Sequence, residues 1–212
     1  MKIALLGATG QVGSRVLTEA LSRGHLVTAV VRDPAKLAAR PGLTAAAGDA
    51  LNPQTLGELV TGHDAFVSSY NPGWTHPRMR EATVTAYRGI IAAAKASAVK
   101  RFLVVGGAGS LDAGPGLFLV DAPGFPAEWK EGAAGLRDVY LLLKGETALD
   151  WTFFCPAPML VPGQRTGKYR VGGESLLPGD GPATISLEDY ASALIDELEK
   201  PAHRRRRFTV GY

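Results

Sequence analysis

The chain has 212 residues, 46% of them hydrophobic and 20% charged, a makeup that suits one compact domain over residues 1–212 with a sizeable core. Its formal charge of +3, with four basic residues gathered in Arg204 to Arg207, excludes the broad basic face of a nucleic-acid binder; that run reads as a solvated link between the last helix and a final strand. The single Cys155, in WTFFCPAP, excludes an internal disulfide framework and reads as a buried strand residue. No apolar run reaches membrane-spanning length or forms a signal peptide, so the chain is expected in the cytoplasm, with no membrane or nucleic-acid partner.

In chain order, the apolar run Ile3 to Leu6 reads as a short buried strand and leads into GATGQVG. Gly7, Gly10 and Gly13 there precede a helical pattern in which Val12, Val16, Ala20 and Leu21 share one face, and Gly24 stops that helix. Leu26 to Val31 reads as a second strand, after which Pro34 opens a short helix. LTAAAGDA looks like a third strand ending at Gly48-Asp49, PQTLGELVTG a helix, and DAFVSSY a fourth strand. Residues 78 to 97 form a long helix, and RFLVVGG a fifth strand. Continuously apolar strands alternating with helices imply a parallel sheet covered on both faces, a doubly wound, Rossmann-like α/β fold. Ligands in such folds bind outside the carboxyl ends of the strands.

The second half is less regular. Residues 106 to 126 form a long Gly/Pro-rich loop, a helix runs from about Ala127 to Ala148, and DWTFFCPAP is a sixth strand. GKYRVGGESLLPGDG reads as a hairpin. SLEDYASALIDELEK reads as a helix capped by Ser186 with Asp189 in the third helical position, and RRFTVGY as a closing strand, so that hairpin, helix and strand make a small C-terminal extension.

The three glycines have a chemical use at a strand-to-helix turn. The first N–H groups of a helix lack intrahelical partners and carry the positive end of its dipole, which suits a phosphate. Glycine permits the tight turn, lets a pyrophosphate approach the backbone, and lets the helix pack close to the strand. The bland alternative is an ordinary tight turn.

GATGQVG, VVRDPAKL, KRFLVVGGAGSL and LDWTFFCPAPMLVPGQRTGKY together resemble the atypical short-chain dehydrogenase/reductase group that includes NmrA-like proteins. The likeness is closer to the small bacterial NADH-flavin reductases and more distant to biliverdin reductase B; it spans the chain, and the ending ISLEDYASALIDELEKPAHRRRRFTVGY supports it. The resemblance implies a single Rossmann-like domain that uses a nicotinamide cofactor, and it speaks to the cofactor more firmly than to the substrate.

Dinucleotide sites choose between NAD and NADP near the end of the second strand. Arg32 is the first polar residue there, and a guanidinium can grip a 2′-phosphate with two parallel hydrogen bonds, which favours NADP(H) over NAD(H). Asp33 follows, and before Pro34 it has an alternative role as a helix cap. Thr9, Gly10, Gln11 and Val12 are expected at the pyrophosphate with Gly7 and Gly13. Asp49, Ala50 and Leu51 are expected at the adenine, Asp49 being equally a helix cap. Ser68, Ser69 and Tyr70, with Pro156 and Ala157, are expected beside the ribose and nicotinamide. No metal site is expected.

Many short-chain dehydrogenases pair a tyrosine with a lysine one turn later, so that the lysine helps the phenol give up its proton. Tyr140 and Lys144 have that spacing, but only five residues separate Lys144 from Asp150 at the sixth strand, a much shorter interval than in those enzymes. A helix-face packing pair is the alternative. Where those enzymes carry a serine after the fifth strand, this chain has Gly106-Gly107-Ala108-Gly109, with Ser110 slightly later. A flavin, or another planar quinone-like acceptor, fits that departure because it takes hydride without an alkoxide to protonate. Trp74, Phe118 and Phe125 are then candidates for a stacking wall or, equally, for sealing the core edge. His76 is either a proton donor or a surface residue. A redox sensor that binds NADP without turnover is the second functional reading. The oligomeric state is left open between monomer and homodimer.

Overall fold

The computed structural model of the chain describes residues 1–179 and 183–212. The first half alternates as its apolar pattern requires: β1 (Lys2–Leu6), α1 (Gln11–Ser22), β2 (Leu26–Val31), β3 (Leu43–Ala47), α2 (Pro53–Val60), β4 (Ala65–Ser68), α3 (Met79–Ala96) and β5 (Arg101–Val105). The loop after β5 has structure of its own: a 3-10 turn at Ala108–Ser110, a short hairpin of β6 (Asp112–Gly114) and β7 (Leu117–Phe118), and a second 3-10 turn at Leu119–Asp121. Then follow α4 (Ala127–Lys144), β8 (Asp150–Cys155), β9 (Met159–Val161), β10 (Arg170–Gly172), β11 (Thr184–Ser186), α5 (Leu187–Glu199) and β12 (Arg206–Gly211).

The main sheet runs β3-β2-β1-β4-β5-β8-β12-β10. All neighbours are parallel except β10, which pairs antiparallel with β12. The first six strands thus have the order of a doubly wound dinucleotide-binding sheet, as expected. Alternate residues of each strand feed opposite faces. Ile3 and Leu5 of β1 join Val16 and Leu17 of α1 and Tyr190 and Leu194 of α5 on one side. Ala4 and Leu6 join Leu56 of α2, Ile90 of α3 and Leu143 of α4 on the other. The closing strand carries Phe208 into a stack with Phe154 and Tyr190, ring centroids 4.3 Å apart at each step.

Local chemistry sets the helix ends. Asn52 caps α2 by accepting from the Thr55 N–H at 3.2 Å, ahead of Pro53, and Ser186 caps α5 by accepting from the Asp189 N–H at 2.9 Å. The fourth helix stops at Lys144 instead of continuing to Ala148. Gly145 follows, and the Glu146 carboxylate accepts the Ala148 N–H at 2.6 Å while its carbonyl takes the Trp151 indole N–H at 3.1 Å, which turns the chain into β8. The third strand likewise ends at Ala47, two residues early.

The expected hairpin over 167–181 is corrected. Arg170, Val171 and Gly172 pair with Gly211, Val210 and Thr209 of the closing strand, a partner distant in sequence. Residues 180 and 181 of that stretch lie outside the described residues. The basic run is corrected in part: Arg204 to Arg206 are exposed, whereas Arg207 is only 2% exposed.

Candidate functional site

At the carboxyl end of β1 the chain turns through Gly7, whose φ of +85° is the left-handed conformation that glycine adopts without strain. The Gly10 N–H closes the turn on the Gly7 carbonyl at 3.0 Å, and the Ser14 N–H begins the helix ladder on the Gly10 carbonyl at 2.9 Å. A Cβ on Gly13 would overlap the Gly7 carbonyl and lie 2.5 Å from Ser69 Oγ; one on Gly7 would lie 2.8 Å from the same oxygen. By contrast, a Cβ on Gly10 meets nothing closer than 3.4 Å. Gly7 and Gly13 are therefore demanded by the protein's own packing, whereas Gly10 faces outward with exposed Thr9 and Gln11.

Ser69 locks this turn. Its hydroxyl donates to the Leu6 carbonyl at 2.9 Å and lies 3.2 Å from that of Gly7, and its N–H also donates to Leu6, at 3.0 Å. Sequence reasoning placed Ser69 beside the ribose and missed this brace; a serine directly after the strand that neighbours β1 was the available signal. Among the described residues no side chain caps α1, and its first turn carries no carboxylate, so its positive end is left for an outside anion.

Arg32 and Asp33 are exposed after β2. Asp33 does cap the turn at Pro34–Lys36, its carboxylate accepting from the Ala35 N–H at 3.1 Å, and among the described residues Arg32 makes no ion pair. Asp49 accepts from the Leu51 N–H at 2.9 Å, and the cap of α2 is Asn52 instead. Ala50 is buried and Leu51 is 63% exposed. Ser68 is buried, its hydroxyl donating to the Tyr87 hydroxyl at 3.2 Å. Tyr70 is half-buried; burial raises its phenol above the usual value, the Asp49 charge adds to the rise and the Arg32 charge opposes it. Those opposing influences put Tyr70, Asp49 and Arg32 in one neighbourhood. Pro156 and Ala157 are buried at the end of β8.

Of the residues expected to move a proton, Tyr140 and Ser110 are buried, whereas Lys144 and His76 are exposed. Tyr140 is buried, its hydroxyl donating to Glu174 at 3.3 Å and its ring meeting Phe118, Trp151 and Phe153; burial pushes its phenol up to about 12. The exposed Lys144 amine stands 5.8 Å over the Tyr140 ring, a cation above an aromatic face. Ser110 is fully buried, and its hydroxyl has no partner among the described residues. Glycine where a serine was sought has a steric cause: a Cβ on Gly106 would run into the Phe153 ring, and one on Gly107 would lie 3.0 Å from Leu136.

The aromatic candidates separate. Trp74 is 65% exposed and lies against α4, where a Cβ on Gly132 would come within 2.9 Å of its ring. Phe125 is half-buried near Gly109. Phe118 seals the core edge, edge-on to Tyr140. His76 is exposed, and its Nδ1 accepts from the Arg78 N–H at 3.2 Å.

The strand order and the glycine turn define the dinucleotide-binding Rossmann class. Within it, the chain belongs to the NAD(P)H-binding family, whose model matches residues 7–201. It is 37% identical over 216 residues to the YwnB protein of Bacillus subtilis, covering 99% of this chain and 98% of that one. A solved structure of a candidate epimerase from Bacteroides thetaiotaomicron is 44% identical with a TM-score of 0.92, over 100% of this chain and 96% of the other. A candidate NADH-flavin reductase from Streptococcus pneumoniae is 34% identical with a TM-score of 0.87, over 100% and 99% of the two chains. No helix among the described residues is long and apolar enough to cross a membrane.

Proposed function

We propose that this chain is an NADPH-dependent reductase of a flavin or similar planar, quinone-like acceptor. The observation that carries the cofactor half is the turn at Gly7–Gly13: the outward-facing Gly10 leaves open space beside the start of α1, which among the described residues has neither a side-chain cap nor a carboxylate in its first turn. Thr9, Gly10, Gln11 and Val12 would hold the pyrophosphate, and the exposed Arg32, its neighbour Asp33 turned to cap the next turn, would hold the 2′-phosphate. When bound, the nicotinamide supplies a hydride; the protein's share is to orient it beside Pro156 and Ala157 and to keep water from the acceptor.

The acceptor half rests on two features of the chain. Tyr140 and Ser110 are buried, with the exposed Lys144 above the Tyr140 ring, so this reading asks none of them to protonate an alkoxide, and hydride transfer to a planar ring needs no such step. Trp74, exposed and backed by the helix at Gly132, offers a flat face for stacking, with Phe125 on the neighbouring loop. The Streptococcus relative's name points the same way. The Bacteroides relative's name points to epimerisation, which would require a proton to be removed and returned by a placed side chain.

The test is a pair of fluorescence titrations with NADPH and NADH, followed by steady-state reduction of riboflavin and a soluble quinone. Tighter NADPH binding with turnover supports the reading. Tight binding with no turnover on either acceptor replaces it with the NADP-binding sensor, and failure to bind either nucleotide overturns both.

A further inference from the structure

Arg207 stands next to Phe208 on β12 and turns to the opposite face of the sheet, beneath the loop that follows β5. Its guanidinium donates to the Ser110 carbonyl and pairs with Asp112 at 2.8 Å and with Glu174 at 2.9 Å. The guanidinium carbon lies 4.4 Å from the Tyr140 ring centroid and 5.6 Å from that of Phe118. One buried cation thus fastens the loop after β5, the loop after β10 and the face of α4 to a single point. Backbone bonds follow the same line: the Asp112 N–H donates to the Glu174 carbonyl at 2.9 Å, and that of Leu119 to Leu111 at 2.8 Å.

The fastened loop leads into the site. Between β5 and Ser110 the chain is Gly106-Gly107-Ala108-Gly109, at a strand end where doubly wound folds bind their ligands. A Cβ on Gly109 would lie 2.7 Å from Ala133, 3.2 Å from Val120 and 3.5 Å from the Phe125 ring, so the turn held by Arg207 is the surface on which Phe125 rests. The dinucleotide cradle is built from other pieces, namely β1, α1 and Ser69.

We propose that Arg207 is a positioning residue for the acceptor half of the site: it fixes Gly106–Ser110, and through Gly109 the Phe125 ring, while leaving the dinucleotide cradle untouched. The inference rests on the reductase reading for its kinetic readout. Asp112 and Glu174 are 40% and 48% exposed at their side chains, so on losing the cation both can turn to water, and removal of Arg207 frees the loop without stranding a buried charge.

The experiment compares the wild-type chain with Arg207→Met, of similar length but apolar, and Arg207→Lys. Three quantities are read: the NADPH dissociation constant, KM and kcat for riboflavin, and hydrogen exchange over 106–126. Arg207→Met is expected to leave NADPH affinity within about twofold, raise the riboflavin KM at least about tenfold with a smaller change in kcat, and speed exchange in 106–126, with Arg207→Lys between. Unchanged KM and exchange would overturn the proposal, as would an equal loss of NADPH affinity. If the wild-type chain binds NADPH but reduces no acceptor, the reductase reading fails on its own, and exchange then decides: faster exchange confined to 106–126 supports the anchor, and none overturns it. Should Arg207→Met not fold, Glu174→Gln removes one partner and is expected to shift KM and exchange in the same direction, less strongly.

Discussion

At the scale of single residues, the glycine turn makes the sharpest demand. A methyl at Gly13 has nowhere to go, because the Gly7 carbonyl is backbone and Ser69 Oγ is held by the carbonyls of Leu6 and Gly7. Gly13→Ala is expected to cost about 1–3 kcal/mol by overpacking and to abolish NADPH binding, whereas Gly10→Ala, with room for its Cβ, should cost stability little and cofactor affinity more. Thermal denaturation and fluorescence titration of both variants check the pair; equal stability losses would contradict the assignment of Gly10 to the ligand. At the second strand, Arg32→Ala should remove the preference for NADPH over NADH and leave the melting temperature unchanged, since Arg32 is exposed.

At the scale of elements, the stretch 162–169 between β9 and β10, exposed except for the half-buried Tyr169, is a strap held by carboxylates. Glu188 accepts from the Gly163 N–H at 2.9 Å, Glu19 takes Arg165 through two bonds of 2.7 Å, and Asp189 accepts from the N–H groups of Thr166 and Gly167 at 2.8 and 2.7 Å. The Arg165 hydrogen bond, with Arg23 assisting against burial, holds Glu19 below its ordinary value of 4.5. Burial pushes Asp189 and Glu188 up, and the donors around each outweigh it, so both also lie below their ordinary values. Groups depressed in the folded state contribute stability that is full above the ordinary carboxylate range and is lost as pH falls through the folded values. The strap should therefore hold at neutral pH and loosen below about pH 4.5, read as hydrogen exchange over 162–169. Asp189→Asn should loosen it already near neutrality and flatten the acid response.

The same scale shows what the sequence could and could not reveal. The inner parallel strands were legible because they are largely buried on both faces and read as apolar runs, whereas the edge strand β3, exposed along much of its length, was legible from the alternation of strands with helices. The pairing of β10 was not legible, because its partner lies at the far end of the chain and a short Gly-rich strand carries no mark of which edge it joins. Arg207 escaped because a run of four arginines looks solvated, while successive strand residues point to opposite faces and this one points inward. The glycine turn was readable from spacing, yet its brace by Ser69 depends on a residue that follows β4, three strand ends further along the chain.

At the scale of the whole molecule, the foot of the sheet opposite the glycine turn is held by a buried ion pair. Arg101 opens β5 at the centre of the sheet; its guanidinium donates to Glu197 of α5 at 2.8 Å and to Asp150 and Thr152 of β8 at 2.9 and 2.7 Å. Burial pulls the Arg101 guanidinium down to about 10, so it stays charged at neutral pH while carrying a desolvation cost that its partners offset. Glu197 also accepts from the His203 N–H at 2.9 Å, so it joins the central strand to the turn that launches β12. Glu197→Ala leaves the cation buried without its carboxylate and is expected to cost about 3–5 kcal/mol. Arg101→Met with Glu197→Leu removes both charges and keeps the volume, and should recover most of that loss, because the desolvation penalty goes with the charges. Urea midpoints for the single and double variants decide between two roles. Recovery in the double variant means the pair is a debt the fold carries in order to fix the register of β12 against β8. No recovery means that the Glu197 bond to His203, and with it the placement of the closing strand and of Arg207, is what the stability depends on.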